Sequence, residues 1–198
     1  MMTSLDLEKM LKEVSVELKD WKVLMEDLAG AFYTAFPATR RYGWTLHLRK
    51  CAASKGCDMC PHSISWVRYY YVKLSKEKKD EMKKAGQEPP NSVLSWDNTS
   101  SGKVMDGLPT RLKLTKADKR AYRQYEAVRS EIMFQHRALS HLRKRLLARV
   151  RNVGKDIVLP VKFFGDGVLR DYYMAMMPVR PIKIAVIREI QELQKGLL

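Results

Sequence analysis

Two stretches of this chain repeat their hydrophobic residues at heptad spacing. The first runs Leu7, Leu11, Val14, Leu18, Trp21, Met25, Leu28 and Phe32, in alternating steps of four and three. Such a seam keeps one face of a helix apolar and asks for a partner helix along its length. Thr3 followed by Asp6 offers an N-terminal capping box, and Pro37 halts the helix. The second seam runs Ala121, Tyr125, Val128, Ile132, Gln135, Leu139, Leu142 and Leu146, after a similar cap at Thr115 and Asp118. Gln135 is its one polar member, a residue type that fixes register or partner at some cost in stability. Asn152 and Gly154 end it. Two seams of matching length close most simply as an antiparallel intramolecular hairpin. Parallel pairing between two copies of the chain satisfies the same pattern.

The residues between the seams read differently. Tyr42 to Leu48 and Ile64 to Leu74 are rich in β-formers, and Val93 to Trp96 and Arg111 to Leu114 are further short strand candidates. Lys76 to Lys84 is almost wholly charged and fits a solvated helical turn or loop. After the second seam, Ile157 to Phe164 reads as an extended run, Gly165, Asp166 and Gly167 as a turn, and Leu169 to Met177 as an aromatic and Met-rich stretch. Pro181 opens a last amphipathic helix with Ile182, Val186, Ile190, Leu193 and Leu197 on one face. The expected organisation is therefore heptad helix 1 over 1–36, a β meander with a cysteine knuckle over 37–114, basic heptad helix 2 over 115–153, and a C-terminal strand or loop with an amphipathic helix over 154–198. The expected class is α+β, mainly α: a two-helix coiled-coil hairpin with a small zinc-knuckle meander at its tip and a C-terminal appendage.

Composition narrows the class. Hydrophobic residues make up 45% of 198 and aromatics 9%, enough for a core and too many for a disordered chain. No apolar run reaches the ~18–20 residues needed to span a bilayer, and the N-terminus lacks the basic and apolar regions of a secretory signal. A cytoplasmic protein with no membrane contact is expected.

Cys51, Cys57 and Cys60 fall within ten residues, followed by His62. An odd, crowded count makes a poor disulfide framework but a good metal-ligand set. Zinc takes a tetrahedron of thiolates and imidazoles, and three cysteines with one histidine form a common structural set. Cys51, Cys57, Cys60 and His62 are the expected ligands, with His47 and Asp58 in reserve. A closed set of this kind folds a segment and leaves no open position for catalysis. His136 and His141, five apart on the second helix, read as surface or seam-edge residues rather than ligands.

These features resemble an uncharacterised family of small prokaryotic and mobile-element proteins with a CGKxxCxC…HGPYYYL-type knuckle between two helices. The residues that carry the resemblance are Arg49-Lys50-Cys51, Lys55-Gly56-Cys57, Cys60-Pro61-His62, Tyr69-Tyr70-Tyr71, Gly102-Lys103 and the stretch from Tyr122 to Leu146. It covers roughly residues 5 to 150. The sequence departs from the family pattern in its cysteine spacing, in Ser63-Ile64 standing where Gly-Pro follows the histidine, and in the insert from Ser75 to Ser100. The resemblance implies the architecture and carries no activity.

Charge adds the candidate function. Lysine and arginine number 37 against 22 acids, giving +15 and a pI near 9.8. A field of that size attracts polyanions, nucleic acid foremost. Arg120, Arg123, Arg137, Arg143, Lys144, Arg145 and Arg149 make the second helix strongly basic, and arginine suits bidentate contact with phosphate. Against this, the acids Glu8, Glu13, Glu17, Asp20, Glu26 and Asp27 of the first helix could neutralise those cations across the hairpin. A second basic and aromatic patch comprises Arg40, Arg41, Arg49, Lys50 and Arg68, with Trp66, Arg68 and Tyr70 alternating onto one strand face where aromatics could stack bases. No phosphate loop, GxSxG or HExxH motif is present, and an enzyme is not expected. The expected function is a nucleic-acid-binding accessory protein that contacts the RNA or DNA backbone. The alternative is a protein-interaction module of a mobile element, an inhibitor or adaptor whose basic surface binds an acidic or nucleic-acid-binding site of a partner.

Overall fold

The capping chemistry at the start of the chain is realised as read. In the computed structural model, which describes residues 3–37, 44–49, 61–90, 92–97, 115–152, 166–177 and 180–195, helix α1 spans Ser4–Ala35. The Asp6 N–H donates to Thr3 Oγ1 at 3.2 Å and the Thr3 N–H donates to Asp6 Oδ2 at 3.1 Å, closing the box. Strand β1 covers Trp44–Arg49 and strand β2 Ser63–Lys73. Helix α2 covers Lys76–Lys84, and strand β3 Ser92–Asp97. Helix α3 runs 36 residues from Lys116 to Arg151, capped by Thr115, whose side chain accepts from the Asp118 N–H. Helices α4 (Asp166–Met176) and α5 (Arg180–Lys195) follow. The described residues form a mainly helical α+β fold, and no helix among them is long and apolar enough to cross a membrane.

Both heptad seams are buried. Leu7, Val14, Leu18, Trp21, Met25, Leu28 and Phe32 face Tyr125, Val128, Ile132, Leu139, Leu142 and Leu146 within one core. Phe32 and Phe36, at the end of α1, meet Tyr122 and Tyr125 at the start of α3. In the other half, the Arg143 Nε donates to Ser15 Oγ at 3.2 Å. The two helices therefore run in opposite directions within one chain. Gln135 is buried in the seam, and its amide nitrogen donates to Glu131 Oε1, one turn earlier. That bond satisfies a donor which hydrocarbon neighbours could not.

The strands form an antiparallel meander in the order β1-β2-β3. Trp44 to Arg49 pairs with Arg68 to Ser63, and Arg68 to Lys73 pairs with Asp97 to Ser92. Alternation sends Ile64 and Trp66 of β2 and Leu46 of β1 into the core. Trp66 stacks on Tyr122 with centroids 5.2 Å apart and meets Phe32 edge-on at 5.2 Å. The expectation that Trp66, Arg68 and Tyr70 display a base-stacking face is corrected at Trp66. Its indole is buried where the sheet meets α1 and α3, because Phe32 and Tyr122 cover it there.

Polar chemistry locks this joint. Arg129 is buried, with Nε 2.7 Å from Glu126 Oε2, Nη2 2.8 Å from Oε1 and Nη1 donating to the Ile64 carbonyl at 3.2 Å. The Trp66 indole N–H donates to Glu126 Oε2 at 2.5 Å. Burial raises the Glu126 carboxyl, but the bonds from Arg129 and Trp66 outweigh it and hold the group below the usual range. From α1, the Tyr33 hydroxyl donates to the Leu46 carbonyl at 2.5 Å, so each helix pins one strand.

Helices α4 and α5 pack on α1 and α3. The segment read as a turn from Gly165 to Gly167 is a helix from Asp166 onward, and the aromatic stretch after it continues that helix. Leu169 and Tyr173 of α4 and Val186 and Ile190 of α5 are buried in the common core. The Lys183 ammonium bridges Glu17 Oε2 at 2.8 Å and Asp20 Oδ2 at 2.7 Å, and Tyr173 donates to Glu13. Helix α2 buries no residue, as expected for a charged excursion. The strand candidates at 111–114 and 157–164 lie outside the described residues, as does the segment from 50 to 60.

Candidate functional site

A helix whose buried face is apolar presents its remaining residues to solvent, and on α3 those residues are basic. The core face carries Tyr122, Tyr125, Val128, Arg129, Ile132, Gln135, Leu139, Leu142 and Leu146. Opposite it, Lys116, Lys119, Arg120 and Arg123 recur at one, three and four residue steps, all exposed, lining a shallow groove with Gln124 and Ala127. The same stripe continues in alternating steps of four and three through Ala127, Ser130, Phe134, Arg137 and His141, also exposed. From Lys116 to His141 it extends about 38 Å at 1.5 Å per residue.

What neutralises these cations decides whether the stripe projects a field. Helix α3 contains three acids, and each has a partner other than Lys116, Lys119, Arg120 and Arg123. Asp118 is buried in the N-terminal cap, where Thr115 Oγ1 donates to it at 2.7 Å. Glu126 holds Arg129 and Trp66, and Glu131 accepts from Gln135. On α1, Glu13, Glu17 and Asp20 engage Tyr173 and Lys183 of the C-terminal helices. These three acids, which the sequence left open as screens for the α3 cations, are thus engaged by α4 and α5.

The other predicted binding residues distribute unevenly. Arg49 and Arg68 are exposed on β1 and β2, while Arg40, Arg41 and Lys50 lie outside the described residues. Lys144 is exposed, and Arg143, Arg145 and Arg149 are half-buried. Phe134 escaped the sequence reading. It is 65% exposed in the middle of the basic stripe, the most exposed large hydrophobic residue of α3. Its position three residues before Arg137 and eleven after Arg123 was the available signal.

Of the expected metal ligands, Cys51, Cys57 and Cys60 lie outside the described residues, and no metal-competent group of three occurs among the described ones. His62 is described. Its N–H donates to the Arg49 carbonyl at 2.9 Å, extending the ladder in which Arg49 pairs with Ser63. The connection that carries all three cysteines therefore starts and ends at one pinned pair of strand ends. His47 sits mid-strand in β1 opposite Ser65, half-buried, and burial lowers its pKa.

His62 also reaches a second feature. An open cleft of ≈ 370 Å³ lies between α3, the start of β2 and α1, lined by Leu18, His62, His136, Ser140, His141, Arg143, Lys144 and Leu147. Three of the four histidines of the chain meet there. Read on the helix alone, His136 and His141 fall on different faces. The cleft is broad enough to take in both.

His136 is 6% exposed, and burial, aided by the positive charge of His62 and Arg137, pushes its pKa down to about 4. Between pH 6.5 and 4 the unfolded chain binds a proton that the folded chain refuses. Stability from this group is full above pH 6.5 and is lost as pH falls through 4, by up to about 3 kcal/mol. Thermal melts of the wild type and His136→Gln across this window check it. The melting temperature of the variant is expected to fall less steeply with acid, and parallel profiles would discount His136.

No protein-family model, curated protein or solved structure matches the chain.

Proposed function

We propose that the chain is a nucleic-acid-binding accessory protein whose α3 stripe tracks the phosphate backbone of RNA or DNA. The observation that carries this reading is the stripe itself: Lys116, Lys119, Arg120 and Arg123 exposed on one face, lining a groove with no carboxylate among the described residues. A rigid helix holds its cations at fixed spacing, so several phosphates are met with little side-chain reorganisation. Phe134, one turn before Arg137 on the same face, suits an unstacked base and favours single-stranded or looped substrates. Arg49 and Arg68 add charge on the sheet, as Arg40, Arg41 and Lys50 do in the sequence around it. The length and apolarity of the seams support a coiled-coil hairpin as the rigid element, in the manner of the mobile-element family that the sequence resembles.

Equilibrium titration against duplex DNA, single-stranded DNA and structured RNA at two salt concentrations tests the reading. With about six phosphate contacts, log K should fall with log salt at a slope near −5. Negligible binding to all three at low salt would sink it and turn attention to a protein partner for the same basic surface.

In this reading Cys51, Cys57, Cys60 and His62 hold one structural zinc ion. Arg49 and Ser63, paired at the two ends of the connection, favour a closed knuckle there, and they favour His62 over His47 as fourth ligand. Zinc would supply folding energy on the order of 10 kcal/mol to that connection. Elemental analysis of purified protein is expected to find one zinc per chain, lost in Cys57→Ser. A strong chelator should lower the melting temperature of the wild type. Metal-free protein whose melting is indifferent to chelator would refute the knuckle.

A further inference from the structure

The histidine cleft differs from the stripe in shape and in chemistry. The stripe is a convex ridge that can meet any phosphate along a strand. The cleft is concave, and at ≈ 370 Å³ it suits a small ligand or the end of a larger one. Its polar lining consists of His62, His136, Ser140, His141, Arg143 and Lys144, with no carboxylate among the described residues. Arg143 is steadied by its Nε bond to Ser15, whose hydroxyl is itself fixed on the Leu11 carbonyl at 2.6 Å. This leaves the two terminal guanidinium nitrogens for the cleft, the geometry that grips an oxyanion by two parallel bonds. His136 supplies the second observation. More than nine-tenths buried, it lines the cleft with its imidazole.

We propose that this cleft binds a phosphate monoester, the terminal phosphate of a nucleic-acid strand that lies along the α3 stripe. A monoester carries chain on one side only, so it can enter a concave site from which the flanking chain excludes a backbone diester. It also bears more negative charge than a diester, which suits a lining that holds Arg143 and Lys144 without a counter-charge. Ser140, half-buried at the centre of the helical lining, contributes a hydroxyl donor. This inference rests on the nucleic-acid reading for the identity of the chain attached to the phosphate, but not for the phosphate site itself.

The test compares one 3′-labelled single-stranded oligonucleotide bearing either a 5′-phosphate or a 5′-hydroxyl, with nucleoside 5′-monophosphate and inorganic phosphate titrated separately by calorimetry. The 5′-phosphate is expected to bind about tenfold tighter, the equivalent of one good charge-assisted contact set. Ser140→Glu, which places a carboxylate in the cleft, should abolish that preference, while Ser140→Ala, a mild change, should reduce it. Charge reversal on the stripe should weaken both oligonucleotides alike and preserve their ratio. If both ends bind equally and neither small phosphate binds saturably, the cleft proposal is overturned while the nucleic-acid reading stands. If neither oligonucleotide binds but a small phosphate does, and Ser140→Glu removes it, the cleft is a site for free phosphate monoesters and the strand assignment is overturned.

Discussion

Reversing Lys119, Arg120 and Arg123 together to glutamate is expected to lower nucleic-acid affinity by at least 100-fold at about 50 mM salt. These three residues are exposed at adjacent positions on α3, and the groove they line holds no carboxylate among the described residues. Every phosphate that the protein ceases to neutralise takes close to one counterion out of the release equilibrium, so the slope of log K against log salt should also shrink by about 3. A global loss of field must be separated from loss of a site. Reversing Lys76, Lys83 and Lys84 of α2 changes the net charge equally, on an exposed helix that buries no residue. That control should weaken binding only a few-fold and leave the slope near its original value. Equal effects of the two triple variants would mean that the protein attracts polyanions by its total charge of +15 alone, with no site on α3. The expected mechanism is local, because the field of exposed charges fades within ~10 Å at physiological salt.

Arg129→Met is expected to destabilise the fold by about 3–5 kcal/mol, the cost of breaking a buried charge pair from one side. The Glu126 carboxylate would lose its bidentate partner at 2.7 and 2.8 Å, and the Ile64 carbonyl a donor at 3.2 Å, while the Trp66 indole remained directed at an under-compensated charge. For a domain of this size the melting temperature should drop by about 10 °C. The double substitution Arg129→Met with Glu126→Gln should recover much of the loss, because the stranded charge is gone and the amide oxygen still accepts from Trp66. Such non-additivity is the signature of the pair in a double-mutant cycle. Additive losses would place the effect in packing rather than in charge. The same variant is expected to leave the nucleic-acid salt slope unchanged in protein that remains folded, since Arg129 faces the sheet and not the stripe. The two experiments thus separate the scaffold from the surface it presents.

The sequence alone determined the elements whose signal is local and periodic. Heptad steps placed both long helices, Thr3 with Asp6 and Thr115 with Asp118 set their starts, and β-branched and aromatic runs located the strands to within two residues. These features depend on neighbours three or four residues away, and short-range geometry enforces them in any fold. The basic character of α3 was legible for the same reason.

Only the tertiary structure decided which charges remain available. Glu17, Asp20 and Glu13 of α1 are taken for the C-terminal helices by Lys183 and Tyr173, more than a hundred and fifty residues away in sequence. The same is true of Trp66, an aromatic between cations in the sequence and a core residue in the fold, because the end of the hairpin offered Phe32 and Tyr122 to cover it. His136, His141 and His62 meet in one cleft although 74 residues separate His62 from His136, a convergence that no period within a helix can encode. Periodicity fixes which face of an element is apolar. Only packing fixes what that face, and the charged face behind it, come to meet.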